Sequence, residues 1–494
     1  MRVLLLSMPD SFEHMASITI RMPNGALSSL AGNVDGHHEV AVADLILVQG
    51  RVRETLERLL REREPELVGL SVMTFQRLTA RRIIALVRSQ RPSARVVVGG
   101  YDPSLAPEAW TDGADFIVRG EGEVTFRELL RALEAGTGLE GIAGLWYRGP
   151  NGFARNPDRP VSRLRNGDIR LPDRSARVLE GYTLLGRKVD VVETSRGCTF
   201  DCSFCSIIEM RGRNFNTFTI DRVLADIRDA QERGARALFL VDDNLTLDVK
   251  RFEVLCQAIV ESGLNRIEYM VQAMTSSIAD AGETLAPLMR RAGFRYVFLG
   301  IENVLEDDLG FLKARVKNAK RENGRRAGNA TLEAIDRLHR NGMYVVGGLI
   351  VGNPGDTRQR VEANLAFARR YVDWPYIQHP TPYPGTPMTR ELRERGLIVN
   401  ERVEEHDGTT AVVRTEHLSA DEIEFLRWKW ERGMKTRHFP VALAHSPWFV
   451  LRNARQMLAH TYRGCTWRTL VGLEDERAAF ARYQTIRASE RTYL

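Results

Sequence analysis

Three cysteines within eight residues, Cys198-Thr-Phe-Asp-Cys202-Ser-Phe-Cys205, constrain this chain more than any other feature. They follow the apolar run Val189 to Val192, which places the C-x3-C-x2-C spacing on a loop at the end of an expected strand. Three soft thiolates on one short loop can hold three corners of an iron–sulfur cube and leave the fourth iron open to a ligand or substrate. Zinc sites typically take four ligands, often as paired units, and no second pair lies nearby.

At 494 residues the chain is too long for one core, and about three units are expected. The net charge of +6 is mild and spread out, with no aromatic-interleaved basic repeat, so nucleic-acid binding is not indicated. Five cysteines, three of them clustered, argue against a disulfide framework and for a reducing compartment. The apolar run at Val3 to Leu6 is too short for a secretory signal. No stretch of about 18 apolar residues provides a membrane span. A cytoplasmic location is expected.

Residues 1–145 read as a doubly wound parallel α/β domain. Val3 to Leu6, Val40 to Ala43, Leu67 to Val72, Val96 to Val98 and Asp115 to Val118 are short apolar runs, and Ala80, Ile83, Ile84 and Val87 mark a helix between two of them. Such sheets bind ligands beyond the carboxyl ends of their strands. There lie Ser71-Val-Met73 and Gly99-Gly100, followed by Gly120-Glu121-Gly122-Glu123, whose acids suit a helix start. Residues 146–185 are glycine- and proline-punctuated and read as a connector, with Gly144 to Tyr147 suited to a small hairpin.

Residues 186–405 alternate strands and helices in about six β/α units, enough for a partial barrel. The cysteine loop then sits at the strand C-termini. Cys256 falls on an apolar helix face, and Cys465 reads as a lone, partly buried thiol. Lys313 to Arg326 is dense in cations and reads as a solvated insertion with helical character; a sharper reading has it closing over an anionic ligand. Residues 406–494 read as helical, starting from the capping box Ser419-Ala-Asp-Glu422. Trp448, Phe449 and Trp467 are expected to pack against the barrel.

The loop C-T-F-D-C-S-F-C, with Phe204 at its aromatic position, resembles the radical S-adenosylmethionine (radical SAM) superfamily. The Ser71 to Gly99-Gly100 spacing and the R-G-E-G-E turn at Glu121 resemble the cobalamin-binding subgroup, as does Thr381-Pro-Tyr-Pro-Gly-Thr-Pro387. The D-x-H-x-x-G of that subgroup is missing, and His14, His37 and His38 lie outside its pattern. No histidine from this motif is therefore expected on cobalt, and a degenerate unit without cofactor stays open.

The resemblance implies a Rossmann-like cobalamin-binding domain, a partial (β/α)6 radical SAM barrel and a helical C-terminal region. Cys198, Cys202 and Cys205 would hold a 4Fe-4S cluster. Asp242, Asp243, Asn244, Gln272, Glu302, Ile350, Gly352 and Phe204 would meet S-adenosylmethionine, with Ser71, Met73, Gly99, Gly100 and Glu121 on the cobalamin side. The implied activity is reductive cleavage of S-adenosylmethionine coupled to methylation of an unactivated carbon in a small-molecule or natural-product substrate. A flavodoxin or ferredoxin would supply the electron. Cyclisation, rearrangement or oxidation without methyl transfer is the alternative within this family. A cluster- or cobalamin-binding sensor is the alternative outside enzymes.

Overall fold

Short runs of branched apolar residues set both sheets of the protein. The computed structural model describes residues 1–12, 19–281, 283–322, 325–489 and 493–494; His14 lies outside them. In the first domain Glu39–Asp44, Arg2–Ser7, Leu67–Ser71, Arg95–Gly99 and Phe116–Val118 pair in parallel in that spatial order. Leu56, Leu59, Ile83 and Val87, on helices Val52–Arg63 and Arg77–Gln90, cover one face. Leu27, Phe126 and Leu129, on helices Gly25–Asn33 and Gly122–Ala135, cover the other. Alternate residues of each strand bury on opposite faces, which is the doubly wound arrangement.

The boundary expected at residue 145 is corrected by the sheet itself. Leu145–Gly149 pairs antiparallel with Phe116–Val118, and Gly152–Arg155 continues the sheet as a hairpin. Leu145 and Trp146 bury on opposite sheet faces, so the strand belongs to the first core.

In the second domain Arg187–Val192, Ala237–Leu240, Glu268–Met274, Phe294–Glu302, Tyr344–Ile350 and Trp374–Gln378 form a parallel series in chain order. Thr183–Leu184 and Ile20–Arg21 extend it antiparallel beyond Arg187, so the sheet begins before residue 186. Leu238, Val271, Val297 and Val345 face the surrounding helices. Val191, Phe239, Met270, Tyr296 and Val346 fill the inner face.

Two local expectations change. The segment expected to be helical near residue 320 is an antiparallel hairpin, Ala319–Glu322 with Arg325–Asn329. Gly328 adopts φ +122° there, a conformation outside the helical region. Further on, Ser419 and Glu422 do form a capping box, opening helix Ala420–His445. Its Phe425 and Trp428 pack on Phe480 and Tyr483 of helix Glu476–Ser489. Trp448 and Trp467, expected against the barrel, are 83 % and 68 % exposed. Phe449 does pack as expected, on Gly186, and Val450 beside it is buried.

Candidate active site

The cysteine loop leaves Arg187–Val192 at its carboxyl end and is tied down from several directions. Gly197 adopts φ +91°, and a Cβ on it would lie 2.4 Å from Asn214 O; only glycine fits. Ser195–Arg196 pairs with Asn216–Thr217 at the base of the loop. Further along, Ser203 donates from N to Leu312 O (3.0 Å) and from Oγ to Phe311 O (2.8 Å). Its own carbonyl accepts from Met388 N at 2.9 Å, at the end of the Thr381 to Pro387 loop. Cys205 then precedes helix Ser206–Arg211.

Burial pushes the Cys202 thiol up to about 11 and the Cys205 thiol up to about 12, with the Lys317 cation pulling the other way. Ligation to a metal would remove those protons. Cys256 is in the core of its helix, and Cys465 lies 3.2 Å from Arg432 Nη1 beside the C-terminal aromatic cluster. The loop thus offers three soft donors and no fourth thiol of its own, a set that fits a cube with one free corner.

Around it stand the carboxyl ends of the barrel strands. Asp242 turns inward: its carboxylate accepts from Thr194 N (2.6 Å), Thr194 Oγ1 (2.5 Å) and Ser195 Oγ (2.6 Å). Burial pushes it up to about 6 in spite of those bonds. Asp243 accepts from Gly197 N at 2.7 Å and faces Arg211 Nε at 3.9 Å. Asn244 Nδ2 lies 3.4 Å from Cys198 Sγ and 3.2 Å from Met274 Sδ. Of this acidic turn, then, Asp242 braces the loop, Asp243 holds its hinge, and Asn244 reaches a thiol.

Glu302 follows a register shift in its strand, at φ +59°, and pairs with Lys317. Lys317 lies 6.0 Å over the Phe204 ring, a cation–π geometry. Its charge acts on Cys202 and Cys205. Phe204 and Ile350 share an apolar cluster with Leu312 and Met388. Gly352, at φ +90°, donates its N–H to Asp356 Oδ2 at 2.8 Å. Gln272 is half-buried beside Phe298, two residues from Met274 on the same side of the strand.

The carboxyl edge of the first sheet meets this mouth. Ser71 Oγ accepts from Asn24 Nδ2 at 3.3 Å, and Met73 N donates to Gln76 Oε1 at 2.9 Å. Gly100 adopts φ +99°, and a Cβ there would lie 2.9 Å from both N and O of Val72. Gly99 has ordinary clearance. The edge presents backbone and small side chains, which suits close approach of a large ligand. His37 and His38 precede Glu39–Asp44 at the opposite end of the strands. The donor set here fits cobalamin held without an imidazole from this motif.

Glu121 is engaged at the seam between the two domains. Its carboxylate accepts from Ser162 N (2.8 Å) and Arg211 Nη1 (3.1 Å), with its side chain 6 % exposed. Two arginines of the facing barrel, Arg211 and Arg196 at 3.7 Å, stand beside it. Glu123 accepts from Arg196 Nη2 (2.6 Å) and Ser29 Oγ (2.7 Å), and Arg196 also reaches Glu193 at 2.8 Å. Phe12 bridges the seam, with ring centroids 5.4 Å from Phe75 and 6.0 Å from Tyr376. Tyr101, beside the glycine pair, feels the charges of Asp243, Arg211 and Cys205; burial pushes its phenol up.

Sequence reasoning missed Arg196, Arg211, Glu123 and Tyr101 as parts of the site. Nearness in the chain to Cys198, to Glu121 and to Gly100 was the available signal for most of them. Lys317 lies within the cation-dense stretch Lys313 to Arg326, and no local pattern marks it as the partner of Glu302.

Two family models match the chain, the B12 binding domain over residues 15–130 and the radical SAM superfamily over residues 192–368. An uncharacterized methyltransferase of Pyrococcus horikoshii is 28% identical over 433 residues, covering 86% of this chain and 90% of its own length. The anaerobic magnesium-protoporphyrin IX monomethyl ester cyclase of Rubrivivax gelatinosus is 26% identical over 446 residues, with 86% and 75% covered. The radical S-adenosylmethionine methyltransferase TsrM from Kitasatospora setae, solved with cobalamin and a 4Fe-4S cluster, shares the fold. It superposes with a TM-score of 0.64 at 23% sequence identity, over 80% of this chain and 75% of that one. The two models fall in order on the two sheets described above, and the cysteine loop lies just inside the second match. The barrel thus matches the radical SAM superfamily, and the sheet ahead of it matches the B12 binding domain.

Proposed function

We propose that this protein is a cobalamin-dependent radical SAM methyltransferase acting on an unactivated carbon of a small-molecule or natural-product substrate. The observation that carries the reading is a three-cysteine loop at a barrel mouth, facing the carboxyl edge of a B12-type sheet across the Arg196–Glu123 pair. When bound, a 4Fe-4S cluster, S-adenosylmethionine and cobalamin supply the electron transfer, the radical and the methyl group.

The chain's own part is holding, orienting and excluding water. Cys198, Cys202 and Cys205 would hold iron, and the Asn244 amide would donate to Cys198 Sγ, a bond that favours the thiolate. Asp243 and Asn244 stand for the amino group of S-adenosylmethionine, Glu302 for its ribose, and Phe204, Ile350 and Gly352 for its adenine. Gln272 lines the inner wall. Ser71, Met73, Gly99 and Gly100 are assigned to cobalamin, while Asp242 and Glu121 serve the scaffold. A flavodoxin or ferredoxin in the cytoplasm would provide the electron.

The test is anaerobic purification with iron, sulfide and cobalamin quantified, then reduction in the presence of S-adenosylmethionine. Formation of 5′-deoxyadenosine by protein that carries both groups is the expected result; none from fully loaded protein overturns the radical assignment. The likeness to a cyclase over 86% of the chain favours one second reading, cyclisation without methyl transfer. Product mass separates the two, since only methylation adds a carbon.

A further inference from the structure

Between Glu431 and Glu474 the sequence contains no acidic residue but seven arginines and lysines. Within that span, helix Pro447–Thr461 turns Trp448, Leu451, Arg452, Arg455 and Leu458 onto one side, spaced i, i+3, i+4, i+7 and i+10. That side faces solvent: Trp448 is 83 %, Leu451 62 % and Leu458 47 % exposed. Just beyond, Trp467, Leu470, Val471 and Leu473 are each more than half exposed. Large apolar groups left in water in such number mark a contact surface rather than chance exposure.

The surface lies away from the chemistry. His445 Nε2 is 3.0 Å from Tyr296 Oη, and His438 contacts Tyr344. Both tyrosines stand near the amino ends of their strands, whereas the cysteine loop is at the carboxyl ends. Residues 438–449 therefore sit toward the floor of the barrel, while Tyr462 and Cys465 turn back to Thr436 and Arg432.

We propose that this segment docks the protein on an anionic lipid surface, with Trp448, Leu451 and Leu458 in the headgroup layer and Arg452 and Arg455 against lipid phosphates. Tryptophan with arginine on one helical side is the composition of an interfacial helix. Among the described residues no helix is long and apolar enough to cross a membrane, so the protein lies on the surface. A second copy meeting the same patch would bring Arg452 and Arg455 against the same pair, which is repulsive. An acidic electron donor has to approach the cysteine end. A nucleic acid would gain little from the aliphatic side chains that make up most of the patch. The inference is independent of the proposed reaction.

The test uses the purified full chain with vesicles of phosphatidylcholine alone or with about one third phosphatidylglycerol. Co-sedimentation with the anionic vesicles only, weakened by salt, is expected. Trp448→Ser combined with Leu451→Ser should abolish it. Arg452→Glu combined with Arg455→Glu should weaken it by at least about 25-fold, roughly fivefold per arginine. Iron content and circular dichroism equal to the parent show that the variants are folded. Failure to bind anionic vesicles at low salt, or unchanged binding by both double variants, overturns the proposal. So does a dimer that Trp448→Ser dissolves, or competition by single-stranded RNA at lower concentration than lipid.

Discussion

Glu123→Gln tests whether the two domains are locked by charge. Glu123 is buried against Arg196 at 2.6 Å and Ser29 at 2.7 Å. Burial alone would raise its carboxyl, but Arg196 and Ser29 outweigh it and hold the group at about 2, against an ordinary 4.5. A carboxylate so depressed contributes roughly 3 kcal/mol above pH 5. That agrees with the ~3–5 kcal/mol expected when one partner of a buried pair is removed. The sign follows from the depressed pKa. The contribution is full above 4.5 and is lost as pH falls toward 2, leaving ~1 kcal/mol near pH 3. Glutamine keeps the shape and does not titrate. Urea unfolding of parent and variant, followed by tryptophan fluorescence from pH 7 to pH 3, should show a gap of ~3 kcal/mol that narrows on acidification. A gap under about 0.5 kcal/mol at pH 7, or one that does not narrow, refutes the lock.

Cys202→Ala should lose most of its iron and the visible absorbance of the cluster, because two thiolates seldom hold a cube; full iron retention would contradict the ligand assignment. Gly197→Ala places a Cβ 2.4 Å from Asn214 O at φ +91° and should cost more than ~2 kcal/mol and lower iron content. Gly120→Ala, at φ +71° with open space around it, should cost only ~1 kcal/mol and leave iron unchanged. Lys317→Met removes the cation paired with Glu302 and should weaken S-adenosylmethionine binding in equilibrium dialysis at least tenfold, ~1.4 kcal/mol. Equal affinity would take Lys317 out of the site.

The geometry also separates scaffold from chemistry within a single turn. Asp242 and Asp243 are adjacent, yet the first has its oxygens engaged by Thr194 and Ser195, while the second meets Gly197 N and Arg211. Successive residues leaving a strand point in opposite directions, so one aspartate faces the packing and its neighbour the mouth. Placing the cysteine loop against Asp243, Asn244 and Lys317 requires both the brace and the glycine hinge.

Local pattern determined a good deal of this protein. The C-x3-C-x2-C spacing, the apolar runs of the strands, their alternation with 3.6-period helices and the Ser419 to Glu422 cap are all written in residues close along the chain. Each reappears in the structure because short-range periodicity sets which side of an element is apolar. What only the tertiary structure decided are pairings across long separations. Arg196 meets Glu123 73 residues away, Asn244 meets Cys198 46 residues away, and Lys317 reaches back to Glu302 across the helix Glu306–Phe311. Glu121 meets Arg211 90 residues away for the same reason. Charges buried at a seam take the partner that folding brings nearest, and nothing in their immediate neighbours names that partner.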